Sequence, residues 1–87
     1  MIFMKNQNQF RVVEFFTTKD QQIATLLYAT GETLDSSYWE NGICFFVYED
    51  KPRCEQIIAN YYKGMIKINA KAIFDALNTI KSIIYRK

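Results

Sequence analysis

The sequence predicts an α+β fold, and two observations support that prediction. Short runs rich in β-branched and aromatic residues alternate with segments in which apolar residues recur at helical spacing. An Asn-Gly dipeptide joins two of the runs directly, as is typical of an antiparallel hairpin. The chain has 87 residues, so we expect a single domain over residues 11–87, preceded by a flexible, polar lead-in over residues 1–10.

The domain is predicted to begin with a strand and a helix. Residues 11–16 have the composition of a strand. Thr18 and Gln21 then have the form of a helix capping box, with Thr17 as the alternative cap, and Gly31 supplies the helix stop. The face that this spacing directs inward comprises Ile23, Leu26, Leu27 and Thr30.

Residues 32–40 predict an edge strand, because polar side chains occupy its middle. The turn at Asn41-Gly42 fixes the hairpin register, because a two-residue type I′ loop determines which residues of the two strands face each other. The expected partners are Glu40 with Ile43, Trp39 with Cys44, Tyr38 with Phe45, and Ser37 with Phe46. The second arm, residues 43–48, is apolar on both faces, which predicts a central strand or one whose outer face is an interface.

The second half of the chain predicts two helices around a short strand. Asp50 caps the first helix, with Pro52 in its first turn, and Gly64 ends it. Its predicted buried stripe is Cys54, Ile57, Ile58 and Tyr61. Residues 65–68 predict a strand, after which Asn69 caps the last helix. The apolar face of that helix comprises Ile73, Leu77, Ile80 and Ile84, with Phe74 beside them.

The first six elements match the ferredoxin-like arrangement βαββαβ, and the seventh is an extra C-terminal helix. The RNA-recognition motif has this order and a third-strand signature of basic residue, Gly, aromatic, small residue, Phe, Val, any residue, aromatic. Residues 41–48 resemble that signature, with Asn41 in place of the basic residue and Ile43 in place of the first aromatic. Phe45 is then the stacking platform on this strand, and a plain core strand is the alternative interpretation.

The sequence offers little material for catalysis, and we expect a non-enzymatic protein without a cofactor or metal site. It contains no histidine, which is the usual general base and the commonest metal ligand. Each of the three glycines has a turn or helix stop as its explanation, and no phosphate-binding glycine motif is present. Cys44 and Cys54 lack the spacing of metal or redox sites, so we expect buried free thiols, with a disulfide or ligand role as the alternative.

Charge is unevenly distributed along the chain. Residues 1–50 contain three basic and seven acidic side chains, whereas residues 51–87 contain eight basic and two acidic ones. This asymmetry predicts an acidic partner for the C-terminal half, either nucleic acid or an acidic protein. The candidate contact residues are Lys67, Lys71, Lys81, Arg86 and Lys87, with Phe45 as a stacking group. Solvated charge is the structural alternative.

A rival hypothesis is a protein-interaction or homodimer module. Its contact surface is either the outer face of the hairpin, at Tyr38, Phe45 and Val47, or the complementary charged halves. The longest apolar run, residues 43–48, is far shorter than the roughly 20 residues of a membrane helix. The N-terminus has no signal-peptide pattern, so we expect a cytoplasmic protein without a membrane partner.

Three stretches together resemble a small family of uncharacterised domains encoded by bacteria and their phages. The matching residues are Phe16-Thr17-Thr18-Lys19-Asp20 with Ala24, Leu27 and Gly31; Phe46-Val47-Tyr48-Glu49-Asp50; and Tyr61-Tyr62-Lys63-Gly64 with Asn69-Ala70, Ala72, Phe74, Leu77 and Ile80-Lys81. The resemblance covers residues 15–85 and brings no activity with it. It implies a compact accessory protein of a phage, prophage or mobile element.

Overall fold

Residues 13–86 are the part of the chain that the computed structural model describes, and they form a mixed α+β fold of three strands and three helices. The strands are β1 (Phe15–Thr18), β2 (Leu34–Glu40) and β3 (Ile43–Glu49). The helices are α1 (Gln21–Ala29), α2 (Lys51–Tyr62) and α3 (Ala70–Tyr85). The predicted lead-in over residues 1–10 lies outside the described residues, as does the predicted start of the first strand at Arg11.

The sheet has the strand order β1-β3-β2, and both pairings are antiparallel. The apolar β3 is therefore the central strand and β2 is an edge strand, as the sequence predicts. Because β1 and β2 are each antiparallel to β3, they run parallel to each other with β3 between them. The unit β1-α1-β2 is consequently a split βαβ unit.

The hairpin has the predicted register, with all four predicted pairs from Glu40–Ile43 to Ser37–Phe46 present. Asn41 and Gly42 have φ angles of 53° and 79°, the two positive values that a type I′ turn requires. Further along, Leu34 pairs with Tyr48 and Ser36 with Val47, which leaves Asp35 as the extra residue of a bulge. A bulge carrying a charged residue protects an edge strand from pairing with other chains.

The predicted fourth strand over residues 65–68 is wrong. Residues 65–69 form no regular secondary structure and connect α2 to α3. The backbone N–H of Met65 donates to the carbonyl of Asn60 at 2.9 Å and closes the end of α2, where Gly64 has a φ of 74°. Ile66 and Ile68 instead pack half-buried against the core. The four-stranded ferredoxin-like arrangement is therefore not confirmed within the described residues.

The boundary between β1 and α1 differs from the sequence prediction. β1 extends to Thr18, which pairs with Phe46, so α1 begins later than its predicted cap. The cap of α1 is Asp20, whose carboxylate accepts from the backbone N–H groups of Gln22 and Ile23 at 2.8 and 3.1 Å. Thr18 instead accepts the N–H of Asp20.

The predicted caps Asp50 and Asn69 are confirmed. Asp50 accepts from the backbone N–H of Arg53 at 3.2 Å, and Asn69 accepts from that of Ala72 at 2.8 Å. β2 begins at Leu34 rather than Glu32, because the N–H of Glu32 donates to the carbonyl of Leu27 and closes the end of α1. These local hydrogen bonds set where each element starts and stops.

All three helices pack on one side of the sheet. The largest fully buried side chains are Phe46 and Tyr48 of β3, Leu27 of α1, Cys54 of α2 and Ile80 of α3. The Tyr48 hydroxyl donates to the carbonyl of Ala24 at 2.6 Å and joins the central strand to α1. Tyr61, predicted in the buried stripe of α2, is instead 37% exposed, and Phe74 is 61% exposed. No helix within residues 13–86 has the length and hydrophobicity that a membrane crossing requires.

Candidate binding surfaces

The sheet presents one face to the helices and the opposite face outward. Side chains alternate between the faces of a strand, so the buried Cys44, Phe46 and Tyr48 place Ile43, Phe45 and Val47 on the outer side of β3. The strand pairings add Tyr38 of β2 and Phe15 of β1 to that side. We call these five residues the open sheet face, which contains the predicted interface residues Tyr38, Phe45 and Val47.

The open sheet face is apolar and largely aromatic, with carboxylates at its border. The Tyr38 and Phe45 rings stack across the strands, with centroids 5.2 Å apart and planes 13° apart. Within the described strands the charged residues are Asp35, Glu40 and Glu49, and none is basic. Glu40 pairs with Ile43 and Glu49 with Phe15, so both carboxylates border the open sheet face. The described strand residues therefore provide none of the cations that phosphate groups require.

The predicted basic residues lie elsewhere, on and around α3. Lys71 and Lys81 are exposed on the helix, Lys67 precedes its cap and Arg86 is its C-terminal cap. Lys87 lies outside the described residues. Because Ile80 of α3 belongs to the core on the helical side of the sheet, α3 and Phe45 are on opposite sides of the sheet. The structure therefore does not bring Phe45 together with these cations.

The exposed side of α3 has a pattern of its own. Exposed residues recur at intervals of three, four, three and four along one stripe of the helix: Lys71, Phe74, Asn78, Lys81 and Tyr85. Phe74 is 61% exposed and Tyr85 is 77% exposed. At 1.5 Å per residue this α3 stripe is about 21 Å long. Lys71 is partly neutralised by Asp75, at 2.7 Å from Nζ to Oδ2.

Sequence reasoning missed the aromatic members of the α3 stripe. It placed Phe74 beside the buried face and did not single out Asn78 or Tyr85. The sequence does contain a pattern that identifies the stripe, because its five residues recur at intervals of three and four along the polar side of the helix. Whether such residues are covered by another element depends on tertiary packing, and here they are exposed.

A groove lies between α1, the end of α2 and the first half of α3. Its volume is about 430 Å³. Apolar side chains of Leu26, Ile73 and Leu77 line it together with the ring of Tyr61. Gln21, Gln22 and Thr25 add polar groups at the α1 side. Leu77 lines the groove and lies three residues after Phe74 on α3, so the groove adjoins the α3 stripe.

An ion pair between the exposed side chain of Arg53 and the buried side chain of Glu32 joins α2 to the segment that follows α1. Nε of Arg53 donates to Oε2 of Glu32 at 2.8 Å, and the Glu32 side chain is 7% exposed. This hydrogen bond raises the pKa of Arg53 above its ordinary value. The pair connects the first turn of α2 to the α1–β2 connection, and Oε2 of Glu32 is already engaged as the acceptor. Within residues 13–86, no three His, Cys, Asp or Glu side chains are grouped so as to hold a metal ion.

Both cysteines are buried free thiols, as the sequence predicts. Cys54 donates to the carbonyl of Glu49 at 3.4 Å. Burial, together with the charges of Glu32, Asp50 and Glu55, raises the pKa of the Cys54 thiol from 9.0 to about 11. Burial also raises the pKa of Cys44. Both thiols are therefore protonated at neutral pH, and a protonated thiol is a poor nucleophile.

The raised pKa of Cys54 predicts an alkaline loss of stability. The unfolded thiol ionises near 9.0 and the folded one near 11, so the unfolded state binds fewer protons between these values. The contribution of Cys54 to the free energy of unfolding should be constant well below pH 9 and decrease as the pH rises towards 11. Urea denaturation of the wild type and of a Cys54→Ala variant at several pH values checks this. An equal decline in both proteins would assign the pH dependence to other groups, such as Tyr48, whose pKa is also raised by burial.

Taken together, the fold and its surfaces define a small α+β domain with helices on one side of a three-stranded antiparallel sheet and two exposed aromatic surfaces. Residues 13–86 match the model of a domain of unknown function, DUF5659. The chain belongs to this family, which confirms the prediction of an uncharacterised domain family. No curated protein and no solved structure matches the chain.

Proposed function

We propose that this domain is a non-enzymatic module that binds nucleic acid through the basic surface of α3. The observation that supports this most directly is the charge of residues 63–86, which contain five basic side chains and one acidic one. All five cations, Lys63, Lys67, Lys71, Lys81 and Arg86, are exposed. Two of them are on the α3 stripe, and Lys67 and Arg86 lie beyond its two ends.

If the cations contact phosphate groups, the affinity for nucleic acid depends on the salt concentration. If they are only solvated surface charges, no such binding is expected. Cations that bind phosphates release condensed counterions, so the affinity falls linearly on logarithmic axes as the salt concentration rises. Three or four phosphate contacts give a slope of about −3 for duplex DNA. A fluorescence anisotropy titration with labelled oligonucleotides, repeated from low to physiological salt, measures this slope. Absence of binding at low salt would refute the proposed function.

The open sheet face supports a second candidate function, which is self-association. The face is apolar, bordered by Glu40 and Glu49, and its seven-residue strands are about 23 Å long. A helix with apolar and basic side chains complements such a face. The α3 stripe of a second copy has this chemistry, and its 16-residue helix is about 24 Å long. The contact would be heterologous, because the two copies use different surfaces.

Complementary variants test this second candidate. Phe45→Asp disables the open sheet face, and Phe74→Asp disables the α3 stripe, while each leaves the other surface intact. We expect the wild type to associate with increasing concentration, each variant to be monomeric, and their mixture to form a one-to-one dimer. Light scattering measures the mass of the wild type, of each variant and of the mixture. A monomeric wild type, or a mixture that does not pair, would contradict self-association through these surfaces.

We also propose that the fold is a ferredoxin-like arrangement whose fourth strand is replaced by the unpaired segment 65–69. The element order up to α2 and the strand order β1-β3-β2 support this interpretation. The proposed setting is the cytoplasm of a bacterium, with a phage or mobile element as the origin of the chain. The resemblance of its three sequence stretches to domains of such origin supports this setting.

A further inference from the structure

The α3 stripe alternates cations with flat aromatic side chains. Phe74 follows Lys71 by one helical turn, and Tyr85 follows Lys81 by one turn, with Asn78 between the two pairs. Both aromatic rings are more than half exposed, although burial of either would stabilise the fold. A cation beside an exposed ring places a phosphate contact next to a surface on which a base can stack.

The adjoining groove extends this surface towards α1. Its volume of about 430 Å³ is sufficient for a nucleobase. Tyr61 offers an aromatic ring there, Leu26 and Leu77 offer apolar walls, and the amides of Gln21 and Gln22 can donate and accept hydrogen bonds. An apolar cavity with a few polar groups at one side is the usual form of a site for a small planar ligand.

We infer that the ligand of this surface is single-stranded nucleic acid, whose unpaired bases stack on Phe74 and Tyr85 and enter the groove beside Tyr61. This inference rests on the proposed function and specifies its substrate. In a duplex the faces of the bases are covered by stacking, so exposed rings on a helix surface have nothing to stack on unless the duplex is unstacked. A single strand offers each base face and a flexible backbone that can reach the neighbouring lysines.

The test compares single-stranded and duplex ligands of equal length. The probes are a labelled oligonucleotide of mixed sequence, about 15 nucleotides long, and the same strand annealed to its complement. The variants are Phe74→Ala and Tyr85→Ala, each of which removes an exposed ring. Tyr28→Ala, which removes an exposed ring of α1 that belongs neither to the α3 stripe nor to the groove lining, is the matched control. Circular dichroism melting confirms that each variant is folded.

We expect the wild type to bind the single strand at least about tenfold more tightly than the duplex, and each stripe variant to lose about tenfold in single-strand affinity. Duplex affinity should be unchanged in both stripe variants, and the Tyr28→Ala control should bind both ligands as the wild type does. Equal affinity for both ligands, or single-strand binding that is insensitive to Phe74 and Tyr85, would overturn this inference and leave the proposed function standing. Absence of binding to either ligand would overturn both.

Discussion

Replacement of Ile80 by alanine is expected to lower the free energy of unfolding by about 3 kcal/mol. Ile80 is fully buried and is the largest side chain that α3 contributes to the core beside Phe46 and Tyr48. Its truncation removes apolar burial and leaves a cavity between α3 and the rest of the domain. A domain of this size is only marginally stable, so a loss of this magnitude in the free energy of unfolding would leave a substantial unfolded fraction at physiological temperature.

Urea denaturation measures the change in unfolding free energy. Asn78→Ala is the matched control, because Asn78 is on the exposed side of the same helix. Its effect should stay within about 0.5 kcal/mol. A loss below about 1 kcal/mol for Ile80→Ala would show that α3 does not complete the core in solution.

Reversal of two charges, Lys81→Glu and Arg86→Glu together, is expected to reduce nucleic-acid affinity by at least about 100-fold at low salt. Both side chains are exposed near the end of α3, so their replacement removes phosphate contacts and adds repulsion without changing the core. The salt dependence should also weaken, because the slope counts the phosphates that the protein neutralises. Anisotropy titrations of the variant over the same salt range measure both quantities.

Lys51→Glu with Lys19→Glu changes the net charge by the same amount at exposed positions outside α3. We expect this control to retain most of the wild-type affinity, because Lys51 is at the start of α2 and Lys19 is in the β1–α1 connection. If the control and the α3 variant weaken binding equally, the interaction depends on total charge rather than on a surface of α3. Thermal melting separates both effects from loss of structure, since charges at a helix end also interact with the helix dipole.

Several elements follow from short-range chemistry and were predictable. Asn41-Gly42 favours one turn type, and that turn fixes the register of the whole hairpin. Asp50 and Asn69 cap helices because their side chains reach backbone groups three residues away. The one-sided apolar periodicity of α3 likewise predicted that Ile80 is buried. Each of these signals depends on neighbours within a few positions in the chain.

The incorrect predictions concern segments whose local sequence is compatible with either of two structures. Apolar and polar side chains alternate at Ile66, Lys67 and Ile68, as is typical of a strand. In the structure, however, the N–H of Met65 forms the last hydrogen bond of α2, and the two isoleucines pack on the core without a strand partner. Thr18 has the form of a cap, but it pairs with Phe46 in the sheet, so Asp20 caps α1. In both cases a long-range contact or a competing hydrogen bond decided the outcome, and no local pattern records it.

Some features of the candidate binding surfaces were likewise predictable from the sequence, whereas others depended on tertiary packing. Composition predicted the surplus of cations in the C-terminal half and the aromatic outer side of the hairpin, and both are features of the chain itself. Their positions relative to each other depend on which side of the sheet α3 occupies. Ile80 belongs to the same buried cluster as Phe46 and Tyr48 of β3, so the cations of α3 and Phe45 are on opposite sides of the sheet, which separates one predicted surface into two.

The sequence by itself determined the α+β class, the hairpin register, two of the three helix caps and the charge asymmetry, because each depends on residues that are close in the chain. The tertiary structure decided that the sheet has three strands within residues 13–86, that Phe74 and Tyr85 are exposed beside Lys71 and Lys81, and that a groove adjoins them. The physical reason is that exposure and juxtaposition are properties of packing. A helix face is buried or exposed according to what the rest of the chain places against it.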